Sequence, residues 1–342
     1  MELCWRTLTR ADAPAMSDVH RAAALADGTG DLRSSADMAE IFVREELGGV
    51  RRRYFGAFDA RAGGEPEARP AAGGRLVAFG VLFARTALLP QHQLHLWGAV
   101  DPAHRRAGVG GELIRRALAG APALHAEVFP GAPLEVMFAG TDGVAGSAEV
   151  AAATGFTAWR RQFGMSQELR RGPEDGPAHA WPLVPAGLEL RTYQPVDEHE
   201  LLAAHLDSFV PDHPGMTPTS PLMWSRRMNA LSFLPGFSFL MHDPASGRVA
   251  GYVLTDLVPP HPDRPRRREI NLTMIGTRRE YRHRGVASGV IAATLHAAAA
   301  QGYDAAHLAV DTDNPSGALS VYRRAGFHTS GSTTLYIKSI QI

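Results

Sequence analysis

The sequence predicts an α/β protein made of two similar domains in tandem. Three observations point there. The chain has 342 residues, about twice the usual size of one domain. Short patterns recur in the same order in its two halves. Each half also runs a β-rich segment into a basic, glycine-containing turn and then into an apolar-faced helix.

The recurrences are specific. Leu3-Cys4-Trp5-Arg6-Thr7 is echoed by Leu188-Glu189-Leu190-Arg191-Thr192. Arg105-Arg106-Ala107-Gly108-Val109-Gly110 is echoed by Arg282-His283-Arg284-Gly285-Val286-Ala287, and Thr154-Gly155-Phe156 by Ala325-Gly326-Phe327. The separation shrinks steadily along the chain, as loops of unequal length would make it. The Gly/Pro-rich stretch from Arg61 to Gly74 reads as a mobile loop between strands, and Arg170 to Gly187 as a linker. The expected division is therefore 1–170, a linker over 171–187, and 188–342.

In the first half, strands are expected near Arg53–Phe58, Leu76–Ala84, Leu94–Val100 and Leu134–Ala139. Helices are expected near Val109–Leu118 and Val144–Ala153. In the second half, Leu188–Thr192 alternates as a strand, and Val196–Phe209 reads as a helix. Phe237–His242 and Val249–Leu257 form a hairpin through Asp243-Pro244-Ala245-Ser246-Gly247. Glu269–Thr277 is a strand. Val286–Gln301 is a helix, with Val286, Val290, Ile291, Thr294, Leu295 and Ala298 at three- and four-residue spacing. Ala306–Val310 is a strand, Ser316–Ala325 a short helix stopped by Gly326, and Leu335–Lys338 a closing strand.

Composition narrows the function. Net charge is zero, without the basic surplus of a nucleic-acid binder. Cys4 is the single cysteine, so no internal disulfide can form and a thiolate zinc site is not expected. The fifteen histidines show no paired spacing of metal ligands. Neither a signal-peptide core nor an apolar stretch of membrane-spanning length is present. A cytoplasmic chain, with no membrane or nucleic-acid partner and no metal, is the expectation.

The chemistry concentrates at Ile270 to Leu295. The first amides of a helix lack internal partners and face outward at its positive end, which makes an anion site. Gly285 lets a phosphate approach the backbone, Ala287 leaves room, and Arg282 and Arg284 add charge.

Here the chain resembles the GNAT superfamily of acyl-CoA transferases, whose signature is Arg/Gln-x-x-Gly-x-Gly/Ala between a strand and a helix. Arg282, Gly285 and Ala287 match it, and so do Arg105, Gly108 and Gly110. Asp313-Asn314-Pro315, Tyr322 and Gly326-Phe327 resemble the family's later motif. The resemblance implies two tandem GNAT-like domains, each a mixed, splayed sheet flanked by helices. It implies an enzyme moving acetyl from acetyl-CoA to a primary amine of a small molecule, by direct attack in a ternary complex.

Roles follow from the resemblance residue by residue. The turn Arg282, His283, Arg284, Gly285, Val286 and Ala287 would hold the pyrophosphate. The backbone at Met274, Ile275 and Thr277 would pair with the pantetheine arm, one amide there polarising the thioester carbonyl. Tyr322 would protonate the leaving thiolate, and Asn314 would help fix the pantetheine or the tyrosine. Glu269 would take the amine's proton, with Asp311 the competing candidate. Phe209, Met223 and Trp224 are candidates to line the acceptor pocket. In the first half Ala151 stands where Tyr322 does, so that half keeps the cofactor turn at Arg105, Gly108 and Gly110 but not the acid. A monomer is the expectation.

Plainer readings stay open. Tyr322 could be a core tyrosine, Glu269 a strand-end charge, and Asn314 a helix cap. The acceptor could be a peptide or protein amine, and the chain could bind acyl-CoA without turnover.

Overall fold

A computed structural model describes residues 3–29, 32–46, 50–60, 74–88, 91–169, 183–208, 219–260, 264–314 and 317–341. The Arg61–Gly74 loop and the linker fall mostly outside these residues. The chain forms two compact units, Met1–Arg160 with Thr333–Ile342, and Arg161–Ser332.

The first unit begins with β1 (Leu3–Arg6), α1 (Ala13–Asp27), α2 (Ser35–Glu46), β2 (Arg52–Asp59) and β3 (Arg75–Leu88). It continues with β4 (His92–Val100), α3 (Val109–Ala126), β5 (Leu134–Thr141), α4 (Ser147–Ala153) and the start of β6 (Thr157–Glu168). The second unit contains β7 (Glu189–Thr192), α5 (Glu198–Ser208), α6 (Pro221–Met228), β8 (Phe239–Asp243) and β9 (Arg248–Leu257). It continues with β10 (Glu269–Thr277), α7 (Val286–Ala300), β11 (Ala305–Asp311), α8 (Ala318–Arg324) and the start of β12 (His328–Ile340).

Within the second unit the strands run β7-β8-β9-β10-β11-β6, antiparallel except for the parallel pair β10–β11. The first unit repeats the plan as β1-β2-β3-β4-β5-β12, with β4–β5 parallel. Each sheet therefore takes its sixth strand from the other half of the sequence. Gln162–Glu168 of β6 pairs with β11, and Thr333–Ile340 of β12 pairs with β5. The closing strand read at Leu335–Lys338 is real but lengthened, and its partner is Ala139 and its neighbours on β5.

Apolar faces explain why these elements hold. On α7, Val286, Val290, Ile291, Leu295 and Ala298 are buried with Ile270, Leu272, Leu308 and Tyr322. The opposite face of the same sheet packs Leu201, Trp224, Leu240, Tyr252 and Leu254, with Met274 against them. Burial of such side chains contributes about 1.5–3 kcal/mol each. Helices α1, α2 and α6 were not anticipated. The buried face of α1 is Ala13, Met16, Ser17, Val19, His20, Ala23 and Ala24, too small and polar to give a clear apolar stripe.

Candidate active site

The two basic turns share one backbone shape. Arg282 and Arg105 are extended, at φ −66° and −71°. His283 and Arg106 each have φ 60°, and Gly285 and Gly108 have φ 86° and 79°. Left-handed backbone at a residue with a Cβ is uncommon, so its repetition at matching positions marks a shared construction. Alternating conformations of this kind turn successive amides towards one point, a concavity suited to anions. Both helices start at the glycine with no side-chain cap, leaving their first amides for a ligand. A Cβ built on either glycine meets nothing within 4 Å, so the concavity is open.

The arginines expected to supply charge also brace the turns. Arg282 Nε donates to the Thr277 carbonyl at 3.2 Å, and Arg105 Nε to Val100 at 3.3 Å. Arg284 donates to the Ala186 carbonyl at 3.3 Å, while His283 and Arg284 remain exposed. The charge around the two turns differs. Arg105 is held by both oxygens of Asp27, at 2.6 and 2.9 Å. The first turn of α3 contains Glu112, whereas that of α7 contains no acid. Glu112 is itself paired with Arg115 and Arg116, so the carboxylate set against the first unit's turn is that of Asp27.

The sheets differ beside the turns as well. In the second unit β10 and β11 pair only over Glu269–Asn271 and Ala305–His307. The register of β10 against β9 slips between Leu272 and Met274, making Thr273 a bulge. Beyond it Met274, Ile275 and Thr277 keep their pairing to β9 but have no pairing to β11 among the described residues. This separation is where an extended pantetheine arm could add as a strand. In the first unit β4 and β5 stay paired through Leu96, and β4 runs against β3 without a bulge from Leu94 to Val100.

Tyr322 on α8 is 8% exposed and packs edge-on against Phe327 at 6.5 Å. Burial pushes its phenol up to about 12, so it carries its proton at neutral pH. Ala151 occupies the equivalent helix end, as matching bonds show: Phe327 N to Tyr322 O at 3.0 Å, and Phe156 N to Ala151 O at 2.9 Å. Asn314 donates its amide to Asp311 O at 3.2 Å. It does not cap α8, because that position is Gly317 at φ 71°.

Glu269 is held by two basic side chains. One oxygen accepts from Arg267 and the other lies 3.2 Å from His307 Nε2. Burial raises its pKa, but Arg267 and His307 outweigh this and the net shift is downward, which weakens it as a direct base. Asp311 is buried and accepts the Asp313 amide at 2.9 Å. Trp224 is 1% exposed and packs against His205 with the rings tilted by 34°, so it belongs to the core. Met223 is exposed, and Phe209 lies outside the described residues. No group of three His, Cys, Asp or Glu that could hold a metal occurs among the described residues. No helix among them is long and apolar enough to cross a membrane.

The acetyltransferase (GNAT) family model matches residues 201–327. A mycothiol acetyltransferase of Clavibacter michiganensis subsp. michiganensis (strain NCPPB 382) is 30% identical over 240 residues, 69% of this chain and 70% of that protein. A GCN5-related N-acetyltransferase from Sphaerobacter thermophilus superposes with a TM-score of 0.70 at 22% identity, covering 99% of this chain and 96% of the other. A tandem GNAT protein from the clavulanic acid biosynthesis pathway superposes at 0.67 and 17% identity, covering 99% and 98%. These two likenesses bear on the fold, and they support two GNAT-like domains in tandem.

Proposed function

The chain belongs to the GNAT acetyltransferase family, and from that premise we propose that its second unit acetylates a primary amine of a small molecule by direct attack in a ternary complex. That the chain is an N-acetyltransferase with acetyl-CoA as co-substrate follows from the family. The finer reading is carried by one observation. Among the described residues, the second unit alone combines the open helix-start cradle at Gly285 with a buried, protonated phenol at Tyr322 in the core that packs α7. The name mycothiol acetyltransferase, borne by its relatives, supports a small-molecule acceptor.

In this reading the amides from Arg284 to Ala287 receive the pyrophosphate, and Met274, Ile275 and Thr277 pair with the pantetheine. The amine nitrogen bonds to the thioester carbon while an amide at the bulge stabilises the oxyanion. As the carbon–sulfur bond breaks, Tyr322 gives its proton to the thiolate, and Asn314 helps hold that end of the site. Both oxygens of Glu269 are engaged, so it takes the amine's proton through water and His307. Tyr322→Phe should then lower turnover by about 10²-fold or more with acetyl-CoA affinity nearly unchanged. Equal turnover would remove the phenol's acid role.

The testing experiment is titration calorimetry with acetyl-CoA, followed by thiol release against a panel of small amines and peptides. One site per chain and intersecting initial-rate plots with a small amine are expected. Parallel plots would replace the ternary complex with a covalent intermediate, and a response to peptides alone would replace the acceptor class.

A further inference from the structure

The bulge in β10 needs something to hold it, because a register slip gives up ladder bonds and leaves one residue unpaired. Thr273 is that residue, and it is exposed. Its hydroxyl hydrogen-bonds to Asp256 Oδ2 on the neighbouring strand. Asp256 faces Asn271, just before the slip. Its carboxylate also accepts from Arg227 Nη2 of α6 at 2.7 Å and from Ser232 Oγ at 3.3 Å. Arg227 lies over the Phe233 ring at 5.3 Å, and the Phe233 backbone bridges to that of Asp256. The side chains of Asp256 and Arg227 are only 15% and 17% exposed. One carboxylate thus gathers the bulge, helix α6 and the segment before β8, with its charge balanced by an arginine.

The first unit supplies an internal control. Counted back from the turn, Leu96 stands where Thr273 does and Phe83 where Asp256 does. There the ladder runs through Phe83–His95 and Leu82–Leu96 without a slip. The unit that lacks the hydroxyl and the carboxylate lacks the bulge.

We propose that Thr273 and Asp256, backed by Arg227, are positioning residues that latch the β10 bulge open and so aim its amide at the thioester carbonyl. This rests on the proposed function, in which that amide is the oxyanion donor. The carboxylate is engaged by three donors, and its role in this proposal is to position the bulge, not to act as the base. Its charge strengthens the hydrogen bond from Thr273, and that bond offsets the lost ladder pairing.

The test uses the full chain and acetyl-CoA labelled with carbon-13 at the carbonyl. In the wild type the bound carbonyl stretch should lie below that of the free thioester. In Thr273→Val the band should return most of the way to the free value. The preference for acetyl-CoA over CoA should fall about three- to tenfold, the value of one hydrogen bond, while CoA affinity holds. Thr273→Ser should keep the wild-type band, and Asp256→Asn should shift it part of the way. If Thr273→Val does not fold, the Ser and Asn variants, which change little in volume, carry the test. A wild-type band in Asp256→Asn and Thr273→Val overturns the latch alone. A wild type that does not bind acetyl-CoA overturns the proposed function with it.

Discussion

Residues 1–169 and 183–342, produced as separate chains, should each fail to unfold cooperatively, and their co-expression should restore a cooperative melt. The reason lies in the exchanged strands. The first fragment lacks Thr333–Ile340, which pairs along the whole of β5, and loses the stacking of Tyr336 on Phe138 at 5.2 Å. The bare β5 becomes an edge open to association. The second fragment lacks β6, so β11 loses its partner over Ala305–Asp311. Its core loses Met165 and Leu169, which are 1% and 5% exposed. Each is worth about 1.5–3 kcal/mol when buried, against a total of about 5–15 kcal/mol for a typical domain. Circular dichroism melts of the fragments, alone and together, check this. A cooperative melt of either fragment alone would mean that the sixth strand is dispensable.

Gly285→Glu should cost at least about 10²-fold in acetyl-CoA affinity, measured by calorimetry. The substitution carries a carboxylate into the concavity where the phosphates would sit, and at about 4 Å two like charges repel by several kcal/mol at intermediate dielectric. A left-handed residue with a Cβ adds about 1–2 kcal/mol of strain. Since nothing lies within 4 Å of the new Cβ, the chain should still fold, and the loss reports on the ligand. Gly108→Glu is the matched control at the same geometry. The pairing of Arg105 with Asp27 and the absence of a phenol at Ala151 predict little effect there. Equal losses in both variants would show that both cradles bind; no loss in Gly285→Glu would put the cofactor elsewhere.

The parts of this site that could be read from the sequence are those whose signals are local. Strand β10 spans the predicted Glu269–Thr277, and α7 begins at the predicted Val286. Apolar periodicity and a helix-starting glycine set both. The repeated turn before each helix, at Gly108 and Gly285, was legible for the same reason. The exchange of β6 and β12 was not, because pairing between residues such as Leu335 and Ala139 leaves no local trace. The bulge left only a faint one. Ile270-Asn271-Leu272-Thr273-Met274 alternates regularly, and only Met274-Ile275 sets two apolar residues side by side, while the partner of Thr273, Asp256, lies on another strand. Glu269 was legible as a carboxylate at the start of β10, while its neighbours Arg267 and His307 depend on how β10 and β11 meet.

The strand exchange also sets an order of events during synthesis. When Arg160 leaves the ribosome the first sheet has five of its strands, yet its sixth is encoded at Thr333–Ile340. At about 5–20 residues per second, that strand follows roughly ten to thirty-five seconds later. The first unit must wait in an incomplete form while the whole second unit is made, with the edge of β5 exposed. Conversely, the second unit cannot be inherited without the stretch of the first half that carries β6. A deletion that removed residues 1–169 would therefore take a strand from the sheet that holds Tyr322, so the boundary between the two units lies inside β6, at Arg160 and Arg161.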